Sequence, residues 1–307
     1  MIGPIVYLNG AFVPHDEARV SVFDHGFIYG DGVFEGLQIV DGTIFMLREH
    51  VDRLFDSARY LGFEIPLDRA AMIEVILETA RRNELRNGYL RPIVTRGTGP
   101  LGIRNMDKLS APTMVVMTQF ESIEERRKAW NRGITAQVVS VRRIPPASLD
   151  SRAKTCNYLN NIMAYLEAKA AGADTAIMLD SDGYVAEAYS SNLFCVKSGV
   201  VMTPALGHIL GGITRATLLR ICGELGIATH EGQVTVYDLY TADEVFECGT
   251  MAEVRPLLRI NGRTVAGGEA GPVGARIHGA LRKMMESGEH GVSAFASANE
   301  HSNGKEG

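Results

Sequence analysis

A two-domain α+β architecture is the fold class that this sequence predicts, and three observations predict it. The chain has 307 residues, more than one hydrophobic core usually serves. Up to Phe120 its patterns run as strands, then helices, then strands, the order of an α+β unit. A second series of short strands and helices starts near Ile134, beyond the mixed-charge stretch Glu121 to Arg132. The expected divisions are a small domain at 1–122, a linker at 123–133, a larger domain at 134–288 and a disordered tail at 289–307.

The elements follow in order. Ile5–Leu8 and Ala11–Val13 flank Asn9-Gly10, the strongest short-range hairpin signal. From Val22 to Gly36, four glycines interleave with Tyr29 and phenylalanines, which predicts a tightly bent backbone whose rings either face a cavity or join the core. Leu37–Val40, Asp41-Gly42 and Thr43–Leu47 form a second hairpin. Arg48–Gly62 carries Val51, Leu54, Phe55, Ala58 and Leu61 at helical spacing, and Ala70–Ala80 is another helix. Tyr89–Thr95 and Met114–Phe120 are strands.

Between those strands, Gly97-Thr98-Gly99-Pro100-Leu101-Gly102 fits the dinucleotide fingerprint literally. The required helix does not follow, because Ile103 to Asp107 leads through a polar loop into another strand. A glycine-rich loop lining a pocket is expected there, and a nucleotide-binding oxidoreductase is set aside.

In the second domain, Ala136–Val141 is a strand ended near Pro145-Pro146. Asn157–Ala171 is a helix with apolar Leu159, Ile162, Met163, Leu166 and Ala170, stopped by Gly172. Thr175–Leu179, Tyr184–Glu187, Leu193–Val196 and Val200–Met202 are short strands joined by Asp-Gly and Ser-Gly turns. A helix at Arg215–Gly226, strands at Glu244–Cys248 and Leu257–Ile260, and a helix at Pro272–Ser287 complete the fold. Gly291–Gly307 is small and polar, which predicts disorder.

Composition narrows the function. Apolar residues make up 46% and charged residues 22%, ordinary for a globular protein. The net charge of −5, with no concentrated basic stripe, argues against a nucleic-acid partner. No apolar run approaches the ~20 residues of a membrane span, and the N-terminus lacks the pattern of a signal peptide. Cys156, Cys195, Cys222 and Cys248 are far apart, without the pairing of a metal site, and are expected as reduced thiols in a cytoplasmic protein.

Three clusters carry the chemistry. Ser151 to Tyr158 places Lys154 just ahead of an amide-rich helix start. Gly183 to Glu187 sets a carboxylate between apolar neighbours on a strand. Gly211-Gly212-Ile213-Thr214-Arg215 opens a helix, whose N-terminus suits a phosphate. Two have a plain alternative: a surface lysine for Lys154 and a solvated edge-strand glutamate for Glu187. Together, an amine nucleophile, a semi-buried acid and a phosphate cup are what pyridoxal phosphate chemistry needs.

The motifs Lys154-Thr155-Cys156-Asn157-Tyr158-Leu159-Asn160-Asn161 and Gly-Tyr-Val-Ala-Glu187, with the Gly211-Gly212 helix start, resemble the class IV (fold-type IV) aminotransferases. Among those they resemble the branched-chain amino acid aminotransferases most. The resemblance covers about residues 5–287 and implies a D-amino acid aminotransferase-like fold, with a small α/β domain and a larger β-barrel-like domain flanked by helices. It implies pyridoxal 5′-phosphate joined covalently to Lys154. Glu187 would meet the pyridine nitrogen and Tyr158 the phenolic oxygen. Arg53, Ile213, Thr214 and Thr250 would hold the phosphate, while Met251 and Ala252 present backbone to the substrate carboxylate. Tyr29, Phe34 and Gly36 would wall the substrate pocket, where Tyr89 and Arg91 meet carboxylates.

The implied reaction is ping-pong amino transfer between branched-chain L-amino acids and 2-oxoglutarate, with amino acids and 2-oxo acids as its small-molecule partners. A homodimer or higher homo-oligomer is also implied, in which Leu101-Gly102-Ile103 enters the neighbouring subunit's site. On the same fold, D-amino acid aminotransferases, (R)-amine transaminases and aminodeoxychorismate lyases are the alternatives; a non-catalytic binding module would not need both Lys154 and Glu187. Two stretches depart from the family pattern. Gln38 stands where a basic residue is usual, and Ala188-Tyr189-Ser190 replaces glycine and serine, both in the region expected to set substrate preference.

Overall fold

A computed structural model describes residues 1–122, 128, 130 and 132–295; most of the expected linker therefore lies outside the described residues. In chain order the elements begin with β1 (Ile5–Leu8), β2 (Ala11–Pro14), α1 (His25–Tyr29), β3 (Gly32–Phe34), β4 (Leu37–Val40) and β5 (Thr43–Phe45). Then come α2 (Leu47–Tyr60), α3 (Arg69–Arg82), β6 (Gly88–Thr95), β7 (Met114–Phe120) and β8 (Ile134–Val138). The third group is α4 (Leu159–Ala170), β9 (Thr175–Leu179), β10 (Val185–Ala188), β11 (Asn192–Lys197), β12 (Val200–Pro204) and α5 (Ile213–Glu224). The last is β13 (Thr229–Gly232), α6 (Val236–Thr241), β14 (Glu244–Gly249), β15 (Glu253–Ile260), β16 (Arg263–Thr264), α7 (Pro272–Ser287) and β17 (Gly291–Ser293).

Two sheets organise these elements. The first runs β17-β5-β4-β6-β7-β1-β2 with β3 on β6; the second runs β10-β9-β8-β15-β14-β11-β12-β13 with β16 on β15. Both expected hairpins form, and Asn9 (φ 48°), Gly10 (φ 96°), Asp41 (φ 48°) and Gly42 (φ 86°) take the left-handed conformations that two-residue turns require. The apolar stripes of α2 (Val51, Leu54, Ala58) and α3 (Met72, Ile76, Ala80) close over Leu37, Ile39, Leu90 and Val94 of the first sheet. A second core, centred on the stacked rings of Phe194 and Phe246, takes in α5, α7 and also Val40, Phe45 and Met46 of the first sheet's hairpin. The two sheets thus share apolar packing.

Three expectations change. Residues 291–295 are ordered: β17 pairs with β5, Ala294 is buried, and Arg86 stacks on Phe295 at 4.4 Å. Short sequence and small residues gave no local signal, but the open edge of β5 offers unpaired backbone groups that a three-residue strand satisfies. Residues 296–307 lie outside the described residues. The Gly97–Gly102 stretch leads into a 3-10 segment, Ile103–Lys108, where a polar loop was expected, and the loop does not line its own chain's cavity.

The third change concerns α4, which turns its larger apolar side chains outward: Leu159, Ile162, Met163 and Leu166 are 49–69% exposed. Its sheet-facing residues are instead Ala164 and Ala168, against Ala176 and Met178. Alanines let the helix approach the sheet closely, which an i, i+3, i+4 reading of large residues does not reveal.

Candidate active site

A cavity of about 690 Å³ opens where the two sheets meet. Its first wall comes from β6, whose period of two puts Tyr89 and Arg91 on one face, and from Phe34 on neighbouring β3. Arg91 Nε donates to the Tyr89 hydroxyl at 2.8 Å, and the guanidinium lies 4.5 Å from the centre of the Phe34 ring. Gly36 must lack a side chain here, since a Cβ would meet the Tyr89 hydroxyl at 2.4 Å.

Lys154 is delivered to this wall by backbone pairing. Phe34 N–H donates to Lys154 O (3.1 Å), Cys156 N–H to Gly32 O (2.8 Å), and Lys154 N–H to Ser57 Oγ of α2 (3.0 Å). The segment is therefore bonded to the first sheet although it precedes an α4 that packs on the second. Lys154 Nζ donates to the Tyr158 hydroxyl at 3.1 Å and sits 4.6 Å over the Phe34 ring. The amine is half-buried between aromatic faces, with its hydrogen bond to a phenol.

Glu187, on β10, is buried and its carboxylate is largely committed. Oε1 accepts from Arg143 Nε (2.7 Å); Oε2 accepts from Asn192 Nδ2 (3.1 Å) and Leu210 N–H (3.0 Å). A carboxylate has about four lone-pair sites, so one remains for a donor in the cavity that Glu187 lines. Asn192 is itself fixed by donating to Leu210 O at 3.0 Å.

The other end of the cavity lies beside the N-terminus of α5. The first N–H groups of a helix have no intrahelical acceptor, so Ile213 and Thr214 direct theirs outward past the N-cap Gly212. Gly212 must stay bare, as a Cβ would lie 2.0 Å from Asn192 Oδ1. Thr250, Met251 and Ala252, in the turn after β14, line the same cavity. Arg53 reaches it from α2, donating Nη1 to Gly211 O (2.8 Å) and gripping Glu35 through Nε (2.6 Å) and Nη2 (2.9 Å).

Glu35 also accepts from His50 Nδ1 at 2.7 Å. Burial alone would raise the Glu35 pKa, but the Arg53 charge, then His50, hold it far below the usual carboxylate range. Burial lowers the His50 pKa, so that ring is kept neutral and donates. Burial likewise pushes the four thiols up, Cys156 and Cys222 to about 11 and Cys195 to about 12. None of the four cysteines forms a disulfide.

Of the expected site residues, Lys154, Arg53, Tyr158, Glu187, Ile213, Thr214, Thr250, Phe34, Gly36, Tyr89, Arg91, Met251 and Ala252 line one cavity. Tyr29 does not. Its hydroxyl accepts from Gly102 N–H at 3.1 Å and so holds the Leu101–Ile103 loop at the surface. Gln38 also lies outside that cavity; its buried amide donates to Glu253 Oε1 at 3.0 Å, whereas Tyr189 does line it. Gln38 stands opposite the cavity-lining Tyr89 in the strand register, but its amide is taken up by Glu253, which corrects its expected place at the substrate.

Sequence reasoning missed Glu35, His50, Arg143 and Asn192. His50 and Arg53 are three apart on one helix, a signal that could have joined them to Glu35. Arg143 has no local signal, because it meets Glu187 only through the second sheet. An amine, a phenol, a carboxylate with a spare acceptor site and a helix N-terminus beside a guanidinium match the groups of pyridoxal 5′-phosphate in kind, and the cavity is large enough to take it with a substrate.

Comparison with known proteins agrees with this geometry. The amino-transferase class IV family matches residues 32–260. A putative branched-chain-amino-acid aminotransferase of Methanocaldococcus jannaschii is 46% identical over 269 residues, covering 87% of this chain and 92% of that protein. A branched-chain-amino-acid aminotransferase of Pseudomonas aeruginosa is 36% identical, with 92% of each chain covered. The crystal structure of the branched-chain aminotransferase from the thermophilic archaeon Thermoproteus uzoniensis with norvaline superimposes with a TM-score of 0.88 at 34% identity, over 95% of this chain and 100% of that one. A crystal structure of a branched-chain amino acid aminotransferase with pyridoxamine 5′-phosphate superimposes with a TM-score of 0.91 at 36% identity, over 95% of this chain and 99% of that one. This protein is a member of the class IV aminotransferase family.

Proposed function

We propose that the chain is a pyridoxal phosphate-dependent branched-chain amino acid aminotransferase, moving an amino group between leucine, isoleucine or valine and 2-oxoglutarate in two half-reactions. The observation that carries this is the Phe34–Tyr89–Arg91 wall, where a guanidinium lies 4.5 Å over an aromatic ring. Such a wall takes an aliphatic side chain on its rings and a distal carboxylate on its cation, where an unpaired buried carboxylate would cost several kcal/mol. The cofactor, when bound, supplies the electron sink that stabilises negative charge at the substrate Cα.

The chain's own residues do the rest. Lys154 Nζ is the nucleophile and, once released, carries the proton to and from Cα. Tyr158, within hydrogen-bond distance of that amine, orients it and the phenolic oxygen. Glu187 offers its remaining acceptor site to the ring nitrogen, with Arg143 as counter-charge. Ile213, Thr214, Thr250 and Arg53 hold the phosphate, and the Met251–Ala252 backbone faces the α-carboxylate.

A homodimer completes the site. Leu101 and Ile103 are each 62% exposed at a loop tip, and α4 presents its own apolar face outward; both suit burial by a second copy. Among the described residues no helix is long and apolar enough to cross a membrane, and four free thiols suit a reducing cytoplasm.

The test is spectroscopic and kinetic. The purified protein is expected to absorb in the near-UV or visible, to shift on adding leucine, and to turn over leucine with 2-oxoglutarate. Activity on D-alanine or (R)-1-phenylethylamine with none on leucine overturns the substrate assignment, and light scattering that finds an active monomer overturns the dimer.

A further inference from the structure

The cavity contains a third guanidinium besides Arg53 and Arg91, one with no part in the roles above. Arg255, on β15, lines it three residues beyond Ala252. Directly across the ladder stands Glu247 of β14, fully buried, whose carboxylate accepts from Arg255 Nη2 and, at 3.0 Å, from Thr175 Oγ1. A guanidinium has five N–H donors, and Glu247 uses only part of that set. Arg255 Nε is buried without an acceptor, and Nη1 has none among the described residues. The side chain nevertheless remains 31% exposed, so its uncommitted end opens to the cavity while the anion sits behind it. Were Arg255 only the counter-charge of Glu247, it could point wholly into the core; a half-used guanidinium at a cavity wall has N–H groups left to donate to a carboxylate.

We propose that Arg255 is a specificity-determining residue that draws the dicarboxylic substrate into this cavity. Arg91 reaches in from the first sheet and Arg255 from the second, so the distal carboxylate of a five-carbon diacid can draw on both guanidiniums. A branched-chain acid, whose one carboxylate goes to the Met251–Ala252 backbone, draws on neither. Tyr189 belongs to the same wall, since its N–H donates to Ala176 O, next to Thr175, at 3.1 Å. The wall therefore joins Arg255 to the one stretch departing from the family pattern that does line the cavity. This inference rests on the aminotransferase reading, and its test is kept separate from turnover.

The test measures calorimetric binding of glutarate and of 4-methylpentanoate to the cofactor-loaded protein; neither acid carries an amino or oxo group that can react. Glu247→Gln/Arg255→Gln removes the ion pair as a near-isosteric unit and leaves no lone buried charge. Arg255→Lys keeps a cation for Glu247 but loses the planar fork. Glutarate is expected to bind about tenfold more weakly to the double variant and several-fold more weakly to Arg255→Lys, with 4-methylpentanoate within about twofold of wild type. Should the double variant fail to fold, the Arg255→Lys comparison decides alone. Unchanged glutarate binding, or equal weakening of both acids, overturns the proposal. Failure of the wild type to transaminate leucine with 2-oxoglutarate overturns the reaction assigned above and leaves this comparison standing.

Discussion

Replacing Glu35 with Gln removes the anion that holds Arg53 beside Gly211 and the start of α5. The carboxylate is 1% exposed and accepts four hydrogen bonds: from Arg53 Nε and Nη2, from His50 Nδ1, and from Gly36 N–H at 3.3 Å. Three of these fall on Oε2, so an amide would keep its oxygen there and set its NH₂ against Arg53 Nε. Shape survives, one bond becomes a donor–donor clash, and the guanidinium loses its counter-charge. Breaking a buried pair from one side costs about 3–5 kcal/mol. With the Arg53 side chain 15% exposed, the lower end applies, about 3 kcal/mol, or roughly 5 °C in Tm for a chain of this size.

The pH dependence supplies the sign. Glu35 has a depressed pKa in the folded protein, so its contribution is complete above the ordinary carboxylate value of about 4.3 and is lost as pH falls below it. The gap between wild type and Glu35→Gln in urea unfolding of the cofactor-free protein should then be flat from about pH 8 to 5, and should narrow below about 4.3. A gap under about 1 kcal/mol at neutral pH, or one that closes already by about pH 6, refutes the reasoning.

Three further outcomes follow from the site. Lys154→Ala should abolish transamination while circular dichroism and some cofactor binding persist, because the phosphate cup is untouched; appreciable residual turnover would remove Lys154 from the chemistry. Arg91→Ala should raise the apparent KM for 2-oxoglutarate and glutamate about tenfold or more beyond any change for leucine, the size of one charge-assisted hydrogen bond. Equal losses for both substrates would make Arg91 structural. Gly212→Ala should weaken cofactor retention about tenfold, measured by dialysis and absorbance, since its Cβ displaces the Asn192 amide that bonds Glu187; unchanged retention would show that Asn192 yields freely.

Local chemistry is what the sequence by itself determined. Asn9-Gly10 and Asp41-Gly42 bring their strands together because few other residues tolerate positive φ there, and Pro272–Ser287 forms the expected helix. Lys154, Glu187 and the Gly211-Gly212 helix start were legible as candidates because each stands in a short distinctive stretch, and the fold brings Lys154, Glu187 and Gly212 to one cavity. Tyr89 and Arg91 were legible as one face through the two-residue strand period.

Only the tertiary structure decided which distant groups meet. Arg143 finds Glu187, Glu35 finds Arg53 and His50, and Arg255 finds Glu247 across 8 to 44 positions of chain, through the packing of sheets and helices rather than any local motif. Gln38 meets Glu253, 215 positions along the chain, although its register partner Tyr89 lines the cavity. The outward turn of α4 and the docking of β17 on β5 have the same origin. A side chain's or strand's partner depends on which surface remains open once the rest of the chain has packed, and short-range periodicity carries no record of that.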